Sequence, residues 1–287
     1  MNQFKYISPK TKEEALRILN LEKSQTCLVA GCSNILPYIK DKILSDKLLV
    51  DISGIKTLKF IKENNENLYI GPLTTISELM DSVIIREKFS PLYQALEEFA
   101  DPILRNTATI GGNLADASPA ADTAPPLLVL KAELEIENQE SKRIVELKDF
   151  FISPRKTILQ NNEMITGIKI KNTSINKNGC FIKLGLRQAM AISLASIAMV
   201  LESKDEKLTD VRIAMGSLAP TPFRLFNVED FLIGKRIDEI VIEEAMNKVG
   251  QSVSPISDVR ASDEYRRYIS GILFKRALNR LINQARG

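Results

Sequence analysis

Ala100-Asp101-Pro102-Ile103-Leu104-Arg105-Asn106-Thr107-Ala108-Thr109-Ile110-Gly111-Gly112-Asn113, running on to Ser118-Pro119-Ala120-Ala121-Asp122, is the stretch on which the reading of this chain turns. From Ala100 to Ala124 it carries two glycines, two prolines and seven alanines between segments of clearer apolar periodicity. Such a stretch is either a functional loop or filler. The Gly111-Gly112 pair permits positive φ and close backbone approach to a ligand, and Thr109 and Asn113 flank it with hydroxyl and amide donors. That chemistry suits a pyrophosphate cradle, with an ordinary structural loop as the alternative. Ser118-Pro119 reads as a helix start with Pro at the first helical position. Asp122 would then lie in the first turn, favouring the helix dipole or accepting hydrogen bonds from ribose hydroxyls.

Toward the N-terminus, Phe4 to Ile7 reads as a strand. Thr11-Lys12-Glu13-Glu14 is a capping box before Ala15, Leu16, Ile18 and Leu19. Cys27 to Ala30 reads as a buried strand, Asn34 to Lys40 as a helix and Leu48 to Ile52 as a strand, which together make a small α/β unit. Within it, Leu28-Val29-Ala30-Gly31-Cys32-Ser33-Asn34-Ile35 takes a strand into a helix through small residues, with Ser33 or Asn34 as the natural cap. Successive N–H groups at such a turn can nest a phosphate; an ordinary βα turn is the alternative. Leu58–Ile61 and Leu68–Ile70 flank a polar tetrapeptide as a hairpin does, and helices are expected over Thr75–Asp81 and Ser90–Phe99.

Toward the C-terminus, Glu133 to Glu137 alternates with period two, and Arg143–Leu147 and Met164–Ile170 continue a mainly β region. The polar run Lys171 to Gly179 is the candidate boundary. Beyond it, Phe181–Leu186, Ser193–Leu201 and Val211–Ala214 read as an antiparallel sheet. Helices over Val228–Ile233, Asp238–Val249 and Ser262–Asn283 complete the pattern.

Composition narrows the chemistry. Of 287 residues, 44% are hydrophobic and 26% charged, which excludes disordered and fibrous classes. A balance of 39 Lys+Arg against 36 Asp+Glu leaves +3, with no massed basic patch to suggest nucleic acid. No histidine is present, so His general bases, Ser-His and Cys-His dyads and imidazole metal sites are excluded. Cys27, Cys32 and Cys180 form no CxxC pair, which argues against a zinc site and for a reducing compartment. Ala189 to Leu201, the most apolar run, is too short to span a bilayer. A cytoplasmic protein is expected.

The central stretch resembles the TIGGN region of the FAD-binding subunits of molybdenum hydroxylases, the xanthine dehydrogenase family, whose flavin domain is of the PCMH type. Leu28 to Leu36 resembles that family's AGGTDLL loop and Asp149-Phe150-Phe151 its DFF turn. Phe181 to Arg187 resembles its FxKxxxR strand, Ala219-Pro220-Thr221-Pro222 its APTP segment and Ser257 to Arg266 its SDxRASxxYR stretch. The resemblance covers essentially the whole chain. It implies an α+β protein with a two-part PCMH-type FAD-binding domain over 1–172 and a C-terminal α+β domain over 173–287 with a small antiparallel sheet and helices. The first domain would comprise a small α/β subdomain, about 1–54, and a larger mainly β one, 55–172.

By that resemblance, Leu28, Val29, Ala30, Gly31, Cys32, Ser33, Asn34 and Ile35, with Thr109, Ile110, Gly111, Gly112 and Asn113, enclose the pyrophosphate of one FAD. Asp122 holds ribose hydroxyls, Phe99 packs on the flavin ring, Ile165 lies beside it and Lys183 approaches its polar edge. No catalytic acid or base and no metal ligand is expected here. The resemblance implies partners: a large subunit with the molybdenum cofactor, and a small subunit with [2Fe–2S] clusters. Electrons would leave to NAD⁺ or another acceptor, in a heterotrimer. An FAD-free scaffold of the same fold and a free-standing PCMH-type flavin oxidoreductase are the alternatives. The chain departs from AGGTD at Cys32, Ser33 and Asn34. Cys32 is the notable change, since a side chain now stands where Gly permits any φ, and a helix N-terminus can lower a thiol pKa. Arg105 and Arg187 are read as loop braces, and Arg260, Arg266 and Arg267, near Tyr265 and Tyr268, as either a partner-docking run or a charged helix face.

Overall fold

The computed structural model describes residues 5–22, 26–41, 47–172, 178–187 and 190–286. It opens with β1 (Lys5–Ile7), α1 (Lys12–Leu21), β2 (Thr26–Val29), α2 (Ile35–Lys40) and β3 (Leu48–Asp51). The strands form a parallel sheet in the order β1-β3-β2, as βαβ crossovers require. Thr11 Oγ1 accepts from the Glu14 N–H at 3.1 Å, while the Glu14 carboxylate reaches back one residue beyond the cap, to the Lys10 N–H at 2.8 Å. So capped, α1 turns Ala15, Leu16, Ile18 and Leu19 onto Val50, Ile52 and Ile55.

The next unit is a five-stranded antiparallel sheet with helices on one side. Strands β4 (Ile61–Glu63) and β5 (Asn67–Ile70) form the expected hairpin. Helices follow as α3 (Ile76–Asp81), α4 (Val83–Lys88), α5 (Ser90–Glu97), α6 (Pro102–Thr107), α7 (Ile110–Ala115) and α8 (Ala124–Val129). Then come β6 (Glu133–Glu137), β7 (Lys142–Glu146), the short hairpin β8 (Phe151–Ser153) and β9 (Lys156–Thr157), and β10 (Met164–Lys171). The sheet order is β4-β5-β10-β6-β7. In β6 the alternation decides the faces: Leu134 and Ile136 enter the core, while Glu133 and Glu137 meet Lys169 and Lys12. The register of β10 slips between Ile165 and Gly167.

Three sequence expectations are corrected here. The Ala100–Ala124 stretch is not a continuous loop: Asp101 caps α6, its Oδ1 accepting from the Ile103 and Leu104 N–H groups, and Thr109 caps α7. Helix α4, capped by Ser82, lies where no element was expected. Ser118–Pro119 starts no helix; residues 118–123 form turns, and α8 begins at Ala124 with Pro125 and Pro126 in its first turn. Asp122 therefore precedes the helix instead of sitting in its first turn.

The C-terminal part contains β11 (Gly179–Leu184), β12 (Ala195–Lys204), β13 (Lys207–Gly216) and β14 (Phe223–Arg224), antiparallel in that order, and α9 (Phe226–Leu232), α10 (Glu239–Ser252) and α11 (Asp263–Arg286). Alternate residues of β12 serve two cores. Ile197, Met199 and Leu201 face Phe274, Leu278 and the other C-terminal helix residues, whereas Ala198 and Val200 join the core of the preceding unit. A sheet covered on both faces needs a near-continuous apolar strand, which accounts for the run that stands out in the sequence. All six residues of α8 are buried at this seam, and Arg212 crosses it to donate to the Val129 carbonyl at 3.1 Å. Within the candidate boundary run, residues 173–177 lie outside the described residues.

The arginines near the C-terminus turn inward. Arg266 donates to the Leu194 and Ser217 carbonyls at 2.8 and 3.1 Å, Arg267 to those of Gly250 and Val253 at 2.7 and 2.8 Å, and Arg260 pairs with Asp258 at 3.1 Å. They brace loops. Tyr265 and Tyr268 remain exposed.

Candidate functional site

A cleft of about 450 Å³ opens where the β2–α2 turn, the start of α7, the Phe99 turn and the start of β10 converge. Of the residues singled out in the sequence, Leu28 to Ile35, Phe99, Thr109, Gly111, Gly112, Asn113 and Ile165 line it. Ile110, Asp122 and Lys183 do not: Ile110 is fully buried in the core, and the other two pair with each other, Lys183 lining a second cavity with Glu98 and Arg187.

The first turn is pressed against the second. A Cβ on Gly31 would lie 1.7 Å from the Thr107 carbonyl oxygen, so only glycine lets the β2–α2 turn reach the end of α6. Two residues further on, Thr109 begins α7. Among the described residues, no backbone N–H from Gly31 to Ile35 donates a hydrogen bond. That leaves a run of unengaged donors on residues that line the cleft. Asn34 occupies the cap position of α2 but makes no side-chain cap; its Nδ2 donates instead to Asp116 Oδ2 at 2.9 Å. Cys32 stands at φ +57°, the left-handed region that favours glycine. Burial, and then the Asp51 carboxylate, push its thiol pKa up. The lowering expected from a helix N-terminus does not occur.

In the second turn Thr109 Oγ1 accepts from the Gly112 N–H at 3.1 Å. Neither Gly111 nor Gly112 has positive φ; both are helical. The glycine requirement at 111 is one of approach, since a Cβ there would lie 2.5 Å from Pro72 Cβ. Asn113 Oδ1 accepts from Thr123 Oγ1 at 2.6 Å, which leaves its amide nitrogen as an unengaged donor among the described residues.

Phe99 is held by cations acting on its backbone. Arg105 Nε donates to the Phe99 carbonyl at 2.5 Å, and its Nη2 to those of Glu97 and Ala100 at 2.8 and 3.4 Å. Lys183 Nζ takes the remaining one, Glu98, at 3.0 Å, and binds Asp122 Oδ2 at 2.7 Å. Four consecutive carbonyls at the end of α5 are thus satisfied by two side chains from α6 and β11. Arg105 braces this turn as expected, and Arg187 closes its own loop through the Met190 carbonyl. Burial lifts the Asp122 carboxyl to about 6 against the opposing pull of Lys183. Its second oxygen, Oδ1, is buried without a partner among the described residues.

Tyr38, Asp116, Arg155, Leu159, Glu163 and Met164 also line the cleft and were not singled out in the sequence. Tyr38 donates to Asp116 Oδ1 at 2.7 Å, burial pushes the Asp116 carboxyl up, and Arg143 binds Glu163 through two hydrogen bonds of 2.8 Å. Asp116, three residues past Asn113, lay within the stretch already under suspicion; the others carry no local signal.

The family described as the FAD binding domain in molybdopterin dehydrogenase matches residues 2–171, and the CO dehydrogenase flavoprotein C-terminal domain matches 181–281. The glyceraldehyde dehydrogenase medium chain of Sulfolobus acidocaldarius is 29% identical, with 96% of this chain and 97% of that one covered. The nicotinate dehydrogenase FAD-subunit of Eubacterium barkeri is 26% identical, with 100% and 99% covered. Among solved structures, a carbon monoxide dehydrogenase from Hydrogenophaga pseudoflava that lacks the Mo-pyranopterin moiety of its cofactor superposes with a TM-score of 0.93 at 28% identity, covering 98% of each chain. A match over more than half the chain, on a cleft flanked by the TIGGN helix, decides the matter: this chain belongs to the FAD-binding subunits of the molybdenum hydroxylase family and is the flavoprotein part of a multi-subunit oxidoreductase.

Proposed function

We propose that this subunit relays electrons: they are released at a molybdenum-containing large subunit, arrive through a small iron–sulfur subunit and leave to an acceptor, NAD⁺ first among the candidates. The observation that carries the reading is the juxtaposition on one cleft of two turns distant in sequence, one with a run of unengaged backbone N–H groups and the other with the unengaged Asn113 amide. FAD fits this donor set. The run from Gly31 to Ile35 and the Asn113 amide suit a diphosphate, Phe99 and Ile165 offer apolar surface to a ring system, and the partnerless Asp122 Oδ1 marks an acceptor that wants a hydroxyl. In this reading Leu28–Ile35 and Thr109–Asn113 hold the diphosphate, Phe99 and Ile165 flank the ring, Asp122 takes ribose hydroxyls and Lys183 approaches the ring's polar edge.

Bound FAD supplies the redox chemistry. The protein's own residues bind, orient and exclude water. Arg105 and Lys183 fix the turn that aims Phe99, while Ile165 and Met164 keep the inner wall apolar. The reading divides the chain into a cofactor-carrying domain over 1–172 and a C-terminal domain over 173–287, in line with the two families matched. It puts the enzyme in the cytoplasm, a reading with which three free cysteines agree, and in a heterotrimer, a reading that the likeness to medium chains supports.

The test is a visible absorption spectrum of the complex purified with its partners, followed by identification of the released flavin. About one FAD per chain, bleached by an organic substrate and restored by NAD⁺, is expected. A flavin that other acceptors restore and NAD⁺ does not would remove NAD⁺; a colourless chain that takes up no added FAD would sink the whole reading.

A further inference from the structure

Arg155 stands in the cleft wall in a setting that the two donor turns do not account for. It is the sole Lys or Arg among the lining residues. It is the second residue of the Pro154-Arg155 turn joining β8 to β9, where a φ of +60° is the turn's own requirement, and its N–H donates to the Ala117 carbonyl at 3.0 Å, which ties the turn to the segment just after α7. The guanidinium lies 4.4 Å from the centroid of the Tyr38 ring. Tyr38 is itself anchored, since its hydroxyl donates to Asp116 Oδ1 while Asn34 occupies Oδ2. The other carboxylate in the wall, Glu163, is taken by Arg143. Among the described residues Arg155 makes no salt bridge and no side-chain hydrogen bond. An oriented, charged fork faces a cleft with every nearby acid engaged elsewhere.

We propose that Arg155 is a ligand of the FAD diphosphate, with Tyr38 as the platform that orients its guanidinium and Asp116 as the residue that fixes the platform. This rests on FAD occupying the cleft. At neutral pH the ring, the ribityl chain and the adenosine are uncharged, so the diphosphate is the one part of the dinucleotide that a lone cation in the wall can answer. Guanidinium donors lie in the plane of the group; stacking on Tyr38 covers a face and leaves the N–H edge free for paired hydrogen bonds to phosphate oxygens. Asp116 has both oxygens engaged by Asn34 and Tyr38, so neither takes up the Arg155 guanidinium.

The full-length chain, stripped of FAD, is titrated with FAD by flavin fluorescence, with ADP and adenosine as competitors. Arg155→Ala is expected to weaken FAD and ADP alike by roughly ten- to a hundredfold, the value of a charge-assisted contact. Adenosine, which lacks the diphosphate, is expected to compete as it does against the unmodified chain. Arg155→Lys restores part of the loss, charge without the planar fork, and Tyr38→Phe, which keeps the ring and loses its anchor, weakens FAD by less than Arg155→Ala. FAD affinity unchanged in both Arg155 variants, or adenosine weakened as much as ADP, would overturn the assignment. Failure of the unmodified chain to bind FAD would overturn the cofactor reading instead, and thermal melting of each variant separates lost affinity from lost fold.

Discussion

Asp122 and Lys183 form a buried ion pair with side-chain exposures of 10% and 3%. Such a pair is destabilising to break, because it leaves one charge without its partner in a medium of low polarity. Lys183→Met, which leaves the buried carboxylate without its cation, is expected to lower stability at pH 7 by about 3 kcal/mol, read by denaturant unfolding. The pH dependence has a definite sign. The folded carboxyl titrates at about 6 and the unfolded one near 3.8, so between these values the folded state holds the proton more tightly. This residue's contribution to stability therefore falls as pH rises through that window, and the slope disappears in Asp122→Asn. A wild-type curve parallel to that of the variant from pH 4 to 7 would show the carboxyl is not perturbed. At this scale the sequence was informative about residue types and silent about partners. Cys32 is legible as a side chain at a glycine position, and its φ of +57° accords with that. The Asp122–Lys183 pair is not legible, because nothing local joins residues 61 positions apart.

At the scale of elements, the approach of the β2–α2 turn to the end of α6 decides whether the two donor turns face one another. Gly31→Ala forces a methyl to within 1.7 Å of the Thr107 carbonyl. Backbone has no rotamer to yield, so the turns must part. A destabilisation of roughly 1–3 kcal/mol is expected, together with loss of FAD retention through gel filtration; a variant that keeps its FAD would show that the contact does not set the site. The elements around this contact were the ones hardest to read. Helices α6 and α7 are six residues each, shorter than the window over which apolar periodicity emerges, and α7 contains two adjacent glycines. Their caps, Asp101 before Pro102 and Thr109 before Ile110, were the available signal. Longer elements with strong periodicity, such as α1, β6 and α10, stand within a few residues of where the sequence puts them.

For the whole molecule, the seam between the cofactor-carrying part and the C-terminal part is a shared core. Phe181, Ala198, Val200 and Ala214 sit in the same apolar cluster as Leu92, Leu127 and Leu128. Removing residues after 172 would expose α8, every residue of which is now buried. A 1–172 fragment is expected to aggregate or melt without cooperativity, and a monomeric, sharply melting fragment would show the halves to be independent. The two-part architecture was legible because the whole chain resembles one family. The shared core was not, since apolar residues declare that they are covered and never by what.

The cleft is walled by segments from residues 27–38, 99–116 and 155–165 together with Ile52, Pro72 and Leu73, and α2, which forms part of it, buries none of its own residues. A dinucleotide bound there acts as a staple between parts of the chain that otherwise meet through few side chains. Its binding free energy adds to the stability of the fold in proportion to the logarithm of its concentration. Where flavin is scarce, the opened chain is therefore more populated and more open to proteolysis than where it is plentiful.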